Sequence, residues 1–104
     1  SITTSTSNRT GGWYSHRASK AAVVSITRGL DLFLEARGGA RALAVAYHPG
    51  TVRTDLSREF WASVPEGRLF SPEFAAARLV DVVCGLRVEQ RGRCWDWKGD
   101  EVPP

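Results

Sequence analysis

Apolar residues recur at helical spacing through the first third of the chain, after a polar opening over residues 1–12. From Trp13 or Tyr14 to Ala36 they follow steps of three and four residues, which is the period of one helix face. This face consists of Ala18, Ala22, Ile26, Leu30, Phe33 and Leu34. Gly38 and Gly39 follow, as expected at a helix C-terminus. The pattern predicts a long helix, and a second apolar stripe predicts that it is covered on two sides.

Two short segments have the composition of strands. Residues 42–47, ALAVAY, form a continuous apolar run, which is typical of a strand buried on both faces of a parallel sheet. The sequence HPG ends this run. Residues 92–97, GRCWDW, alternate in polarity and place Trp95 and Trp97 on one face, so we expect both indoles to be packed.

The region between these strands contains a second helix and a more polar segment. Ser71 offers a capping hydroxyl, Pro72 suits the first helical position, and Glu73 complements the helix dipole. We predict a helix from there to about Cys84. The earlier segment 51–64 is mixed, with a short helix predicted around 55–62 and an aromatic pair, Phe60 and Trp61, that suggests a lid.

The order of elements is therefore loop, helix, strand, helical loop, helix and strand, without internal repeat or linker. Two strands joined through a helix need neighbours in a sheet that is covered by other elements. The predicted fold class is α/β, the C-terminal part of a doubly wound, Rossmann-like parallel sheet with flanking helices. The whole of 1–104 is expected to be one portion of a single domain.

Composition narrows the class of protein. The chain has 104 residues, 42% hydrophobic and 24% charged, which is ordinary for a globular domain. It lacks methionine and opens on Ser1 in a polar run, so we expect it to be a piece of a longer protein. No apolar stretch is long enough to cross a bilayer, so we expect no membrane partner. Cys84 and Cys94 lack metal-site or disulfide spacing, and we predict no metal and two buried thiols in a reducing, cytoplasmic compartment.

The excess of basic over acidic residues does not by itself indicate a function. The net charge is +3 and the pI about 9.3, but the arginines are dispersed along the chain rather than clustered in a stripe. A nucleic-acid interface would gather them on one element. We therefore expect no nucleic-acid partner.

Three stretches together resemble the short-chain dehydrogenase/reductase family. The first is YSHRASKAAV, Tyr14 to Val23, on the long helix; the second is HPGTVRTDLS, His48 to Ser57, directly after a buried strand. The third is RLFSPEFAAARLVDVVCGL, followed by GRCWDWKGDEVPP, and it is similar to the C-factor type of that family. The resemblance covers nearly all of the chain but matches only the C-terminal part of such an enzyme.

The resemblance implies an NAD- or NADP-dependent oxidoreductase acting on a small-molecule carbonyl or alcohol, with Lys20 as the family lysine that holds the nicotinamide ribose. It implies that the backbone of Val52 and the hydroxyl of Thr54 contact the nicotinamide carboxamide, with Pro49 and Gly50 shaping the turn. Ser1 is the best candidate present for the catalytic serine. The chain lacks the family's glycine-rich phosphate loop, so the residues that choose between NAD and NADP lie outside it.

Position 16 departs from the family pattern, because His16 stands where the resemblance requires the tyrosine acid. Imidazole can act as a general acid near neutral pH, but a neighbouring ammonium disfavours its protonated form, and its nitrogen lies closer to the backbone than a phenol oxygen. We therefore predict strongly reduced or absent carbonyl reduction. Tyr14 lies about 200° around the helix from His16, so it cannot replace the phenol; packing beside Trp13 is its expected role.

Two functions remain open from the sequence. Lys20 and the PGTVRT loop favour an oxidoreductase, whereas His16 favours a non-catalytic relative that keeps the fold for binding or for dimer formation. In the family the long active-site helix commonly packs against a partner subunit, so we expect a homo-oligomer formed through the 14–36 helix. Trp61, Phe60 and Val64 fall, by the same resemblance, in the segment that covers the substrate.

Overall fold

The computed structural model describes residues 8–104 and contains two α-helices. Helix α1 spans Tyr14–Gly38 and α2 spans Pro72–Cys84. Three short 3₁₀ helices lie at Gly39–Arg41, Asp55–Ser63 and Val88–Gln90. The two predicted α-helices are confirmed to within two residues at each end, and the predicted helix after Thr54 forms as a 3₁₀ helix.

The strands are shorter and more numerous than the sequence predicted. Strand β1 is Ala46–His48, β2 is Thr51–Val52, β3 is Leu69–Phe70 and β4 is Cys94–Asp96. β1 pairs with β4 and β2 pairs with β3, both in parallel. The prediction of a strand from residue 42 was wrong in extent, since a strand needs a hydrogen-bonded partner and β1 finds one over only three residues. The second pair, β2 with β3, was not predicted.

The apolar core is small. Ala46 on β1, Trp95 on β4 and Ala75 on α2 are the buried apolar residues of the part that the structure describes. The indole N–H of Trp95 donates to the carbonyl of Gln90 at 2.9 Å. Trp97 follows β4 and is half-buried against Phe70, at 5.2 Å between ring centroids, so the expected packing of both indoles is confirmed.

The apolar stripe of α1 lies largely in the open. Ile26 is 66% exposed, Phe33 50% and Leu30 49%, so the expectation that α1 is covered on two sides is not met by residues 8–104. The face turned toward the sheet instead contains Asp31, which is fully buried. Periodicity located the helix correctly but chose the wrong face, because the contact with the sheet is made through a carboxylate.

Asp31 ties α1 to the two segments that lead into β1 and β4. Its carboxylate accepts from the Ala44 N–H at 2.9 Å and from the Arg91 guanidinium at 2.9 Å, with Arg28 at 3.8 Å. Arg91 also donates to the carbonyls of Gly39 and Ala42. Burial alone would raise the pKa of Asp31, but these hydrogen bonds and positive charges outweigh it and hold that pKa below the ordinary value.

Helix α2 begins as its sequence predicts. The Ser71 hydroxyl accepts from the Phe74 N–H at 3.1 Å, with proline at the first helical position. The Arg78 guanidinium donates to the carbonyl of Trp97 at 2.8 Å and so fixes α2 to the end of β4. The prediction of two buried thiols was wrong, since Cys84 is exposed and Cys94 half-buried, neither in a disulfide. Between residues 8 and 104 no helix is apolar enough over sufficient length to span a membrane.

Candidate functional site

His16 and Lys20 lie in the first two turns of α1, on one face. Four residues correspond to about 400° of helix rotation, so the two side chains are about 40° apart around the axis and one turn apart along it. His16 is half-buried and its ring meets the edge of Trp13, with centroids 6.3 Å apart. Lys20 is exposed and forms no ion pair or hydrogen bond with residues 8–104. The helix therefore presents an imidazole and an exposed ammonium one turn apart on one face.

Tyr14 does not share this face. It is the first residue of α1 and is 84% exposed, so the expected packing beside Trp13 is wrong for the described part of the chain. The aromatic that does pack at this end is Trp13, which adopts a left-handed backbone with φ of 57° and meets the ring of Phe60 at 4.8 Å.

This Trp13–Phe60 contact joins the start of α1 to the segment after β2. Phe60 belongs to the 3₁₀ helix Asp55–Ser63, which follows the PGTVRT loop directly. Trp13 touches His16 on one side and Phe60 on the other. The start of α1 and the 3₁₀ helix Asp55–Ser63, which are far apart in sequence, are therefore neighbours.

The loop that precedes α1 is held by a residue that the sequence reasoning overlooked. Arg17 donates through Nε to the carbonyl of Gly12 at 2.8 Å and through its terminal nitrogen to that of Gly11 at 3.2 Å. An arginine that turns back over its own helix N-terminus has no distinctive sequence signal. It fixes the direction from which the chain enters the site.

The turn after β1 requires glycine at position 50. Gly50 has φ of +77°, and a Cβ there would lie 2.6 Å from Cε2 of Phe70 and 3.2 Å from Cε3 of Trp97. Both the backbone conformation and the close approach of the rings exclude a larger residue. His48 lies beside the same indole at 5.8 Å, and burial lowers the pKa of its imidazole, opposed by the charge of Asp96. Gly50 thus shapes the turn after β1.

The backbone of Val52 has one edge turned away from β3. The N–H of Arg53 bonds to the carbonyl of Phe70 at 2.8 Å, and successive N–H groups of an extended chain point to opposite edges. The Val52 N–H therefore points away from β3. On that side the Val52 carbonyl accepts a hydrogen bond from the Ser57 hydroxyl, leaving its second lone pair.

Ser57 connects this edge to Trp61 of the aromatic pair. Its hydroxyl accepts from the Trp61 indole N–H at 2.9 Å and from the Thr54 N–H at 3.3 Å. Thr54 is exposed at the start of the 3₁₀ helix, and Phe60, Trp61 and Val64 are half-buried along it. Sequence reasoning singled out Trp61 and Thr54 but missed Ser57, the hydroxyl through which both are joined to Val52.

Two curated proteins match almost the whole chain. C-signal of Myxococcus xanthus is 34% identical over 96 residues, which is 92% of this chain and 52% of that protein. A match of that length includes both the YSHRASKAAV and the HPGTVRTDLS motifs. The 1-hydroxy-2-glutathionyl-2-methyl-3-butene dehydrogenase of Rhodococcus sp. (strain AD45) is 38% identical over 87 residues, 83% of this chain and 35% of that protein. No protein-family model matches.

The chain belongs to the short-chain dehydrogenase/reductase family. The match to C-signal agrees with the C-factor-like type predicted from its sequence. This short-chain dehydrogenase/reductase chain spans about half of the length of one of these curated relatives, 52%, and about a third of the other, 35%.

Solved structures agree on the fold of this short-chain dehydrogenase/reductase chain. The carbonyl reductase Sniffer of D. melanogaster superposes with a TM-score of 0.82 at 23% identity, over 99% of this chain and 38% of that one. The NADPH-bound carbonyl reductase from chicken fatty liver superposes with a TM-score of 0.76 at 24% identity, over 90% and 34%. The predicted fold class, a Rossmann-like α/β fold with parallel strands and flanking helices, is confirmed.

Proposed function

We propose that residues 1–104 form the C-terminal portion of a single-domain NAD(P)-dependent oxidoreductase of the carbonyl reductase or alcohol dehydrogenase type. The observation that supports this best is the Trp13–Phe60 contact, which joins the start of α1, where His16 lies, to the 3₁₀ helix that follows the PGTVRT loop. In an open α/β sheet, ligands bind at the carboxyl ends of the strands, where this loop lies. A small-molecule carbonyl or alcohol and a cytoplasmic setting are part of the same proposal.

The residues present fit the nicotinamide end of such a cofactor. Lys20 is an exposed cation for the ribose hydroxyls, and the free edge of Val52 offers one donor and one acceptor to a carboxamide. Gly50 has no side chain, and Thr54 is exposed four residues further along the chain. The nicotinamide supplies the hydride when bound. The choice between NAD and NADP would be made outside these residues.

The residue at the position of the proton donor is poorly suited to that role in the proposed enzyme. His16 takes the tyrosine position, and its ring nitrogen lies nearer to the helix axis than a phenolic oxygen would. We therefore propose impaired carbonyl reduction. Ser1, proposed as the carbonyl-orienting hydroxyl, lies outside the described residues.

A second candidate function is non-catalytic, with the fold kept for binding or dimer formation. The exposed apolar stripe of α1, which includes Ile26, Leu30 and Phe33, supports it, since solvent contact of so many large apolar side chains is unfavourable. A second copy of the chain packed along the 14–36 helix would remove this exposure. Such a dimer is also compatible with an active enzyme.

The experiment that separates these functions uses the complete natural protein. NADPH and NADH binding is measured by fluorescence, and turnover is measured with a panel of carbonyls for the wild type, for His16→Tyr and for Tyr14→Phe as control. We expect cofactor binding in all three and turnover gained only in His16→Tyr, by at least about a hundredfold, since a positioned acid contributes roughly 10² to 10⁴ in rate.

Three other outcomes would each contradict a part of this proposal. Lack of NADPH and NADH binding by the wild type would contradict the cofactor proposal and favour the binding protein. Wild-type turnover equal to that of His16→Tyr would show that the imidazole is a competent acid here. If the wild type does reduce a carbonyl and Tyr14→Phe abolishes that activity, Tyr14 supplies the proton.

A further inference from the structure

The Trp61 indole is a fixed platform at the edge of the candidate site. Its N–H donates to Ser57, and Ser57 is bonded in turn to the carbonyl of Val52. The ring therefore cannot swing away from the end of β2 without losing its hydrogen bond to Ser57. It stands on the segment whose Phe60 packs against Trp13, beside His16.

Two arginines lie over this platform, and they differ in their charge balance. The guanidinium carbon of Arg53 is 5.2 Å from the centroid of the Trp61 ring and that of Arg58 is 5.9 Å away. Arg58 forms an ion pair with Asp55. Arg53 is exposed, and its side chain forms no ion pair or hydrogen bond with any residue from 8 to 104.

A guanidinium held over an aromatic ring keeps its full charge and its N–H donors. The cation–π contact restricts the side chain without using any of these donors, so less conformational freedom is lost when an anion is bound. The planar fork then matches a carboxylate with two parallel hydrogen bonds. Arg53 also stands between Val52 and Thr54, the two residues proposed to bind the nicotinamide carboxamide.

We propose that Arg53, stacked on Trp61, binds an anionic group of the substrate, most simply a carboxylate remote from the reacting carbonyl. This assignment rests on the proposed function, because the substrate is taken to lie between the His16–Lys20 face and the lid. It makes Arg53 a specificity-determining residue that selects oxo acids over neutral carbonyl compounds of the same shape.

The test compares 4-acetylbenzoate with its methyl ester, which has the same ketone and lacks the charge. Dissociation constants are measured by calorimetry on the complete natural protein, with and without NADPH, for the wild type, Arg53→Gln and Arg37→Gln. Arg37 is the matched control, because its guanidinium lies 3.8 Å from the Phe33 ring, near the far end of α1, and forms no ion pair with residues 8–104.

The wild type should bind the carboxylate more tightly than the ester, and Arg53→Gln should lose about ten- to a hundredfold of affinity for the carboxylate alone, as for a charge-assisted hydrogen bond. Arg37→Gln should bind both probes as the wild type does. Arg53→Lys should keep part of the preference, since it keeps the charge but not the planar fork.

Three results would overturn the assignment. One is a wild type without preference between the two probes. Another is an equal loss in Arg53→Gln and Arg37→Gln. The third is an Arg53→Gln protein that binds NADPH more weakly but the two probes normally, since the cation would then serve the cofactor phosphates. If NADPH fails to bind while the Arg53-dependent preference persists, the anion site stands and the oxidoreductase proposal fails.

Discussion

Replacing Gly50 by alanine tests the turn on which the candidate site is built. Two costs can be worked out from the structure. Alanine at φ of +77° has to adopt the left-handed region, which costs about 1 to 2 kcal/mol. The new Cβ would also lie 2.6 Å from Cε2 of Phe70, and such overpacking costs roughly 1 to 3 kcal/mol. The free energy of unfolding should therefore fall by about 2 to 5 kcal/mol.

Gly67 provides the matched control, because it has the same φ of +77° and no atom within 4 Å of a built Cβ in the described chain. Gly67→Ala should lose only the conformational part, about 1 to 2 kcal/mol. Urea unfolding of the complete natural protein, followed by tryptophan fluorescence, gives both values. Phe70→Leu should reduce the penalty of Gly50→Ala, since it removes the ring atom that the new methyl meets.

Equal destabilisation by Gly50→Ala and Gly67→Ala would refute the reasoning, because it would show that the rings do not confine the turn. A Gly50→Ala protein that keeps wild-type affinity for NADPH would separately contradict the proposal that this loop holds the nicotinamide. If Gly50→Ala destabilises the Phe70→Leu protein as much as the wild type, the Phe70 ring is not the source of the steric cost.

Three further predictions concern stability and reactivity. Asp31→Asn should destabilise the protein at pH 7. Because the folded-state pKa of Asp31 is lowered, the wild type should lose its advantage over the variant as the pH falls below about 4. Urea unfolding of both proteins at pH 7 and pH 3 measures this difference, and a difference independent of pH would contradict the prediction. Ser71→Ala should cost about 1 kcal/mol through the lost cap of α2, measured in the same way, whereas Ser71→Asp should not. Iodoacetamide added to the native protein should label Cys84 before Cys94, as followed by mass spectrometry. The reason is that burial, together with the charge of Asp96, raises the pKa of the half-buried Cys94 thiol. Faster labelling of Cys94 would refute this prediction.

The sequence identified much of the candidate site because its signals are local. The helical period placed His16 and Lys20 on one face, and the HPG sequence placed Gly50 in the turn after a strand. Glycine suits this turn because its backbone has a positive φ. Ser57 and Arg17 were missed, since a hydroxyl or a guanidinium that bonds to nearby backbone looks the same in sequence as a solvated one. Ser1 lies outside the described residues and stays a prediction.

The sequence alone determined the two α-helices, the cap of α2 and the family, because capping, periodicity and motif spacing depend on residues close along the chain. Only the tertiary structure decided which face of α1 meets the sheet. There the buried group is Asp31, paired with an arginine 60 residues away. It also decided the pairing of β2 with β3 and the placement of Arg53 over Trp61. Contacts of this kind depend on how distant segments fold together, and the period of a single segment does not encode them.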